Sequence, residues 1–350
     1  MTRFAALVLA AGVAVCCAEA APKPVVRLAA HPQTLVAGQR WVARLTVRPP
    51  GRPTVKAVSG ARTLTVRATR TGPGRYAAAL RLPSAGVWRL AALVRGQWVA
   101  LGRIRVLASY PLALPAQAIA LDDRRLLVVE RQGRDRILRV DVRTGRFTVV
   151  TTRIPSPWGL AQDARGRVLV SGGGGIYELG GTRIANVAAA PIAVAPTGDV
   201  FFADESRVGR VDPRGGVEVL NTSVDAPHAL VVGRDGSLFV SDTGNGRLLR
   251  IDPATRAITV VASGLTNALG AIETAVGDLL VVEHDSGRLL RIGDGAVIAQ
   301  SLRKPYALTQ SPDGSVYVVE SGDVGRPSGG IARVAGDGSV TRLRLIPGSA

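Results

Sequence analysis

The sequence predicts an all-β chain, a six-bladed β-propeller preceded by a small antiparallel β-sandwich, and three observations carry that expectation. A unit of about 38 residues recurs six times between Pro115 and the C-terminus, and a period in that range marks propellers, solenoids and arrays. Each copy holds four short apolar runs bounded by turn residues, as a four-stranded antiparallel blade requires. Ahead of the repeats, residues 24 to 108 alternate apolar and polar with a period of two, the mark of strands with one buried face.

The chain begins MTRFAALVLAAGVAVCCAEAAPKP, with one Arg, an apolar run and Ala18-x-Ala20 before Ala21. That pattern is a secretory signal, too short to span a bilayer, with cleavage expected after Ala20. Lipidation at Cys16 or Cys17 is the alternative, disfavoured by the bulk of the Val or Cys preceding each. No later segment has 18 uninterrupted apolar residues, so no transmembrane segment is expected and the mature protein should be secreted, extracellular or periplasmic. Both cysteines lie in the leader, which excludes disulfides, thiolate nucleophiles and Cys-ligated zinc from the remainder.

Residues 24 to 108 supply Trp41-Val-Ala-Arg-Leu-Thr-Val47, Leu64-Thr-Val-Arg67, Tyr76-Ala-Ala-Ala-Leu80 and Val87-Trp-Arg-Leu90, several short strands for one sandwich. His31, just before a Pro, reads as a loop residue. Residues 109 to 115, Ser-Tyr-Pro-Leu-Ala-Leu-Pro, read as a short stiff linker. From 116 to 350 the blades follow. Their third strands read Ile137-Leu-Arg-Val-Asp141, Ile176-Tyr-Glu-Leu-Gly180, Val208-Gly-Arg-Val-Asp212, Leu248-Leu-Arg-Ile-Asp252, Leu289-Leu-Arg-Ile-Gly293 and Ile331-Ala-Arg-Val-Ala335. The second strands are more apolar and end at Glu130, Gly172, Asp204, Asp242, Glu283 and Glu320, suiting burial on both faces between neighbouring blades. Asp235-Gly236 and Asp313-Gly314 supply turns. The tract Ser171 to Gly175 lacks the Lys-Ser/Thr and helix of a phosphate loop and reads as a tight turn.

The fourth copy, PHALVVGRDGSLFVSDTGNGRLLRID from Pro227, resembles an NHL repeat, whose pattern is Pro-x-Gly-apolar, then Asp-Gly, then an apolar run ending in Asp, then Asn-x-Arg. The likeness extends over about 240 residues and is weaker in the other blades. It implies a six-bladed propeller similar to the gluconolactonase-like and virginiamycin B lyase-like propellers. Gly72-Pro-Gly-Arg-Tyr76 followed by Leu82-Pro-Ser-Ala-Gly-Val-Trp88 resembles the closing strands of bacterial immunoglobulin-like domains, in which the Tyr packs at a corner and the Trp fills the core.

Loops held by a rigid scaffold are the usual place for binding residues. One propeller face collects the starts of the inner strands, with Trp158, His228 and Tyr306, and the exits of the second strands, with Glu130, Asp204, Asp242, Glu283 and Glu320. The carboxylates have two readings. They cap the following turns, with Arg136, Arg207, Arg247 and Arg288 nearby to neutralise them, or they converge on Ca²⁺ or another divalent cation. A gluconolactonase-like metal site would add an early Glu-Gly-Pro, which this chain lacks. His228, Glu283 and His284 are the catalytic candidates, because His beside a carboxylate is the common acid/base pairing. Consecutive Glu283 and His284 point to opposite sides of a strand end. Trp158 and Tyr306 are ligand-binding candidates, as aromatics in a concavity suit sugars and small apolar ligands. Arg326, in the long exit loop of the sixth copy, is the third.

The formal charge is +18, with 41 Arg and three Lys. The arginines fall singly along strands without a long basic run, and aromatics are 4%, unlike nucleic-acid modules with basic patches and stacking rings. No nucleic-acid partner is expected. The sequence therefore favours a secreted, monomeric ligand-binding or interaction protein using the loop-rich propeller face, with a small molecule, glycan or cell-wall polymer as partner. A metal-assisted lactonase or lyase is the alternative, and cell-wall polyanion binding the second.

Overall fold

The computed structural model describes residues 23–348 except 33, 132, 189–190, 213 and 323–326. The expected leader with Cys16 and Cys17, and the candidate Arg326, lie outside the described residues. Among the described residues there is no α-helix, and none long and apolar enough to cross a membrane. The chain forms two compact units: the first is made by the described residues up to 35 with 40–82 and 86–106, the second by 36–39, 83–85 and the residues from Leu107 onward.

In the first unit one sheet runs Val25–Leu28, Arg40–Arg48, Arg75–Arg81, Thr69–Gly72 in spatial order. The other runs Thr34–Val36, Gln97–Leu107, Gly86–Val94, Thr54–Ser59, Arg62–Arg67. Period-two patterning decides the faces. Along Arg44 to Arg48 the residues alternate exposed and buried, with Leu45 and Val47 inside. Leu45, Val47, Tyr76 and Leu80 of one sheet share a core with Val55, Ala92 and Val94 of the other, so this unit is a β-sandwich. Trp88 is fully buried.

The second unit contains six antiparallel sheets among the described residues, each built from four consecutive strands. The inner strands are Pro115–Ala120, Pro157–Gln162, Ile192–Val194, Pro227–Val232, Ala268–Glu273 and Pro305–Gln310. Each neighbours the inner strand of the next sheet, and the sixth returns to the first, closing a ring. This is a β-propeller. Second strands such as Arg125–Glu130 and Val168–Gly172 are buried along almost their whole length, because residues on both pleat faces meet neighbouring blades. Leu169, Ile176, Phe202 and Val211, for example, form one cluster between the second and third blades. Fully burying a side chain of this size contributes about 1.5–3 kcal/mol.

Residues 109–115 are not a free linker. The Tyr110 amide donates to Leu345 O, Leu112 and Gly329 exchange backbone hydrogen bonds, and the Ala113 amide donates to Glu130 Oε1. Leu112 and Leu345 sit in the core shared by the first and sixth blades. At the other end of the chain, Ile346–Pro347 pairs in parallel with the outer strand Arg146–Thr151, adding a fifth strand to that blade.

Candidate functional site

Each carboxylate that ends a second strand is engaged inside its own blade. Glu130 accepts the Ala113 amide (2.8 Å) and Arg136 Nε (2.6 Å). Asp242 accepts the Asp225 amide (2.7 Å), Asn245 Nδ2 (3.0 Å) and Arg247 Nε (2.6 Å). Glu283 accepts the Thr266 amide (2.8 Å), Ser286 Oγ (2.8 Å) and Arg288 Nη2 (2.6 Å). Glu320 accepts the Arg303 amide (2.8 Å) and Arg342 Nη2 (2.8 Å). Burial would raise the Glu283 carboxyl, but its amide, hydroxyl and guanidinium donors together hold it below the usual range.

The accepted amide always precedes a residue with positive φ: Leu114, Ala226, Asn267 or Lys304. Non-glycine residues visit that region only at a cost, and the carboxylate pins the backbone there just before the inner strand starts. In the second blade the carboxylate is replaced by Gly172. A Cβ at Gly172 would lie 2.6 Å from Pro155 O, so the loop abuts the strand directly and leaves no room for a brace. Among the described residues Asp204 holds its own turn, accepting the Arg207 amide (3.2 Å) and Arg207 Nε (2.6 Å).

This arrangement bears on the metal and the catalytic expectations. Glu130, Asp204, Asp242, Glu283 and Glu320 do not converge on a cation; their oxygens are spent on amides and guanidinium groups. Among the described residues no group of three or more His, Asp or Glu side chains is gathered that could hold a metal ion. Glu283 is likewise buried, its oxygens taken by the Thr266 amide, Ser286 and Arg288.

The aromatic candidates, by contrast, meet. Among the described residues, the first-to-second strand pairing in five blades skips at the second inner-strand position, as between Pro157 and Leu160, Pro227 and Ala229, and Pro305 and Ala307. A bulge frees the skipped residue from the ladder and re-aims it. Trp158, His228 and Tyr306 are those residues in the second, fourth and sixth blades. Their ring centroids lie 6.2, 6.4 and 6.1 Å apart pairwise, a triangle across the channel mouth. His284 stands edge-on to Tyr306 at 6.3 Å.

Arg131 completes the group, its guanidinium carbon 3.8 Å from the centre of the Trp158 ring. Sequence reasoning missed it, although the alternation applied to Glu283 and His284 applies equally to Glu130 and Arg131. Burial lowers the Arg131 pKa, with Tyr306 and Asp135 opposing. A cavity of 350 Å³ opens beside these side chains, lined by Arg131, Trp158, Gly173, Glu205 and His228 among others.

Both histidines have a defined tautomer. His228 Nδ1 lies 2.9 Å from Ala226 O and His284 Nδ1 lies 3.1 Å from Pro305 O. A carbonyl only accepts, so each Nδ1 carries the proton and Nε2 keeps its lone pair. Burial lowers both pKa values below the usual histidine range, so the rings are neutral at pH 7. Burial also pushes the Tyr306 hydroxyl up to about 12, with Arg131 opposing. The mouth is thus a floor of three rings, the His228 imidazole among them, with the Arg131 cation, the His284 acceptor, and Asp204 and Glu205 in the cavity lining.

The sequence matches no described protein family and no curated protein. Solved structures do resemble the chain. A protein of unknown function from Bacteroides thetaiotaomicron superposes with a TM-score of 0.54 at 14% identity, covering 88% of this chain and 97% of its own. A streptogramin B lyase gives 0.52 at 18% identity over 67% and 84%. A candidate gluconolactonase gives 0.52 at 14% identity over 68% and 92%. At these identities the likeness shows a shared fold, the β-propeller.

Proposed function

We propose that the chain is an exported ligand-binding protein whose propeller channel mouth takes a small molecule with a flat apolar body and an anionic group. The observation that carries this reading is the Trp158–His228–Tyr306 triangle with Arg131 stacked on Trp158. Rings supply apolar area at low entropic cost, and a guanidinium fixed over a ring offers its edge donors to a carboxylate. The bracing of four of the six inner-strand starts supports the same reading, since a rigid rim lowers the ordering cost of binding. The leader pattern supports export, and the repeat pattern supports membership among NHL-type propellers.

Titration of the full chain with paired probes, benzoate against benzamide and 2-naphthoate against 2-naphthamide, tests the proposal. Saturable quenching of Trp158 emission is expected with the carboxylates. Trp158→Phe should remove the signal, and Arg131→Gln should weaken the carboxylates at least tenfold while sparing the amides. Carboxylate binding that survives Arg131→Gln unchanged would remove the proposed anion contact. A second reading, a lyase or lactone hydrolase, is favoured by the free Nε2 atoms of His228 and His284. It requires turnover that both His228→Asn and His284→Asn abolish while ligand affinity persists.

A further inference from the structure

The charge of the molecule is not shared between its units. Residues 24–106 contain fourteen Arg, one Lys and no Asp or Glu, whereas residues 107–350 contain 27 basic and 25 acidic residues. A compositional preference for Arg would act on both stretches alike, so it does not account for the missing carboxylates of the first.

The outward face of the four-stranded sheet carries Arg27, Arg40, Arg44, Arg48, Arg75 and Arg81, all exposed. Arg40 stands directly opposite Arg81, and Thr46 stands opposite both Arg27 and Arg75. Among the described residues none of these six guanidinium groups forms an ion pair. On the other sheet Arg89 stands opposite Arg103, and Lys56 lies 5.5 Å over the ring of Trp98. Like charges facing one another across strands destabilise a sheet, and high net charge strains a compact fold by self-repulsion. A polyanion relieves both.

We infer that the first unit is a docking surface for a flexible anionic polymer bearing phosphate or carboxylate groups. Both faces of the sandwich are basic, which suits a chain that can wrap around it; a planar bilayer would meet one face only. The arginine face is a broad sheet and not the helix or narrow ribbon that fits a major groove. Among the described residues the outward positions of its paired strands are Arg, Thr, Val and Ala, with no aromatic side chain for stacking single-stranded bases. Arg40, Arg44 and Arg48 recur every four residues along one strand, about 13 Å apart, a spacing that a charged polymer meets repeatedly.

The test uses the full chain with long-chain inorganic polyphosphate and with poly-glutamate, titrated over a range of NaCl concentrations. Wild type should bind at about 50 mM salt and lose affinity steeply as salt rises. The variant R27Q/R40Q/R44Q/R81Q should lose at least tenfold in affinity. Its log–log salt slope should flatten by about 3, the counterions no longer released at four contacts. The control R139Q/R143Q/R146Q/R165Q, four exposed propeller arginines, should stay within twofold of wild type. Melting of the first variant reports its folding and should be unchanged or raised. Equal losses in both variants would reduce the effect to net charge and overturn the inference. So would absence of polymer binding at low salt, or tighter binding to anionic phospholipid vesicles or duplex DNA than to the polymers.

Discussion

Arginine does opposite work in the two units. In the propeller Arg136, Arg247 and Arg288 each stand in register with the carboxylate they neutralise, and that carboxylate in turn holds a backbone amide. In the sandwich Arg40 faces Arg81 and Arg89 faces Arg103, with no acid between residues 24 and 106 to answer them. The first arrangement spends charge inside the molecule to fix loop geometry around a channel. The second leaves it unspent at the surface. A chain-wide charge of +18 hides this division, because nearly all of it belongs to the smaller unit.

Removing one charge from each unit separates the two uses most sharply. Asp242→Ala strands Arg247 and leaves the Asp225 amide and Asn245 without their acceptor. Loss of one partner of a buried ion pair costs about 3 kcal/mol, a fall of roughly 10 °C in the propeller's melting transition. Arg44→Ala touches an exposed side chain and should change stability by no more than about 0.5 kcal/mol. Calorimetry of both variants checks the pair, and equal melting shifts would erase the distinction.

Acid should separate the units next. Glu283 has its carboxyl held below the usual range, and the Arg250 guanidinium with the Ser237 amide takes Asp235 down to about 2. A depressed carboxyl contributes stability that is present above its unfolded value and is lost as pH falls through its folded one. The propeller transition should therefore drop between about pH 4.5 and pH 2. The sandwich has no carboxylate to protonate, so its transition should hold nearly level over that window. Scanning calorimetry of the full chain at pH 7 and pH 3 reads both; transitions that fall together would break the comparison.

How much of this was legible follows from the reach of local rules. The repeat gave the blades because every copy restates the same strand and turn signals. It also gave four of the bracing arginines, since Arg136, Arg207, Arg247 and Arg288 lie three to six residues after their carboxylates. Arg342 was not legible. In the sixth blade the cross-strand place opposite Glu320 is Gly330, so the guanidinium comes from the outer strand, 22 residues on. The aromatic triangle was readable as three equivalent repeat positions, but its closeness depends on bulges that spacing does not reveal. Residues 109–115 looked like a linker because Pro-rich composition carries no sign of the core that Leu112 joins. Arg131 and the acid-free sandwich were both written in the chain, the one obscured by its ordinary neighbours and the other by a single averaged charge.

The smallest contrast concerns histidine. His228 and His284 are half-buried at the channel mouth, and burial lowers both pKa values. A buried imidazole that resists protonation makes the unfolded state the better proton acceptor, so stability is full above the ordinary histidine range and declines as pH falls through it. The propeller transition should slip by something on the order of 1 °C between pH 7.5 and pH 5.5, well before the carboxylates titrate. His228→Asn with His284→Asn keeps an N–H near each carbonyl while removing the titrating ring, and should flatten that slope without moving the sandwich transition. A slope that persists in the double variant would place the titrating group elsewhere. It would also remove the reason to treat the channel mouth as a neutral, acceptor-bearing surface at pH 7.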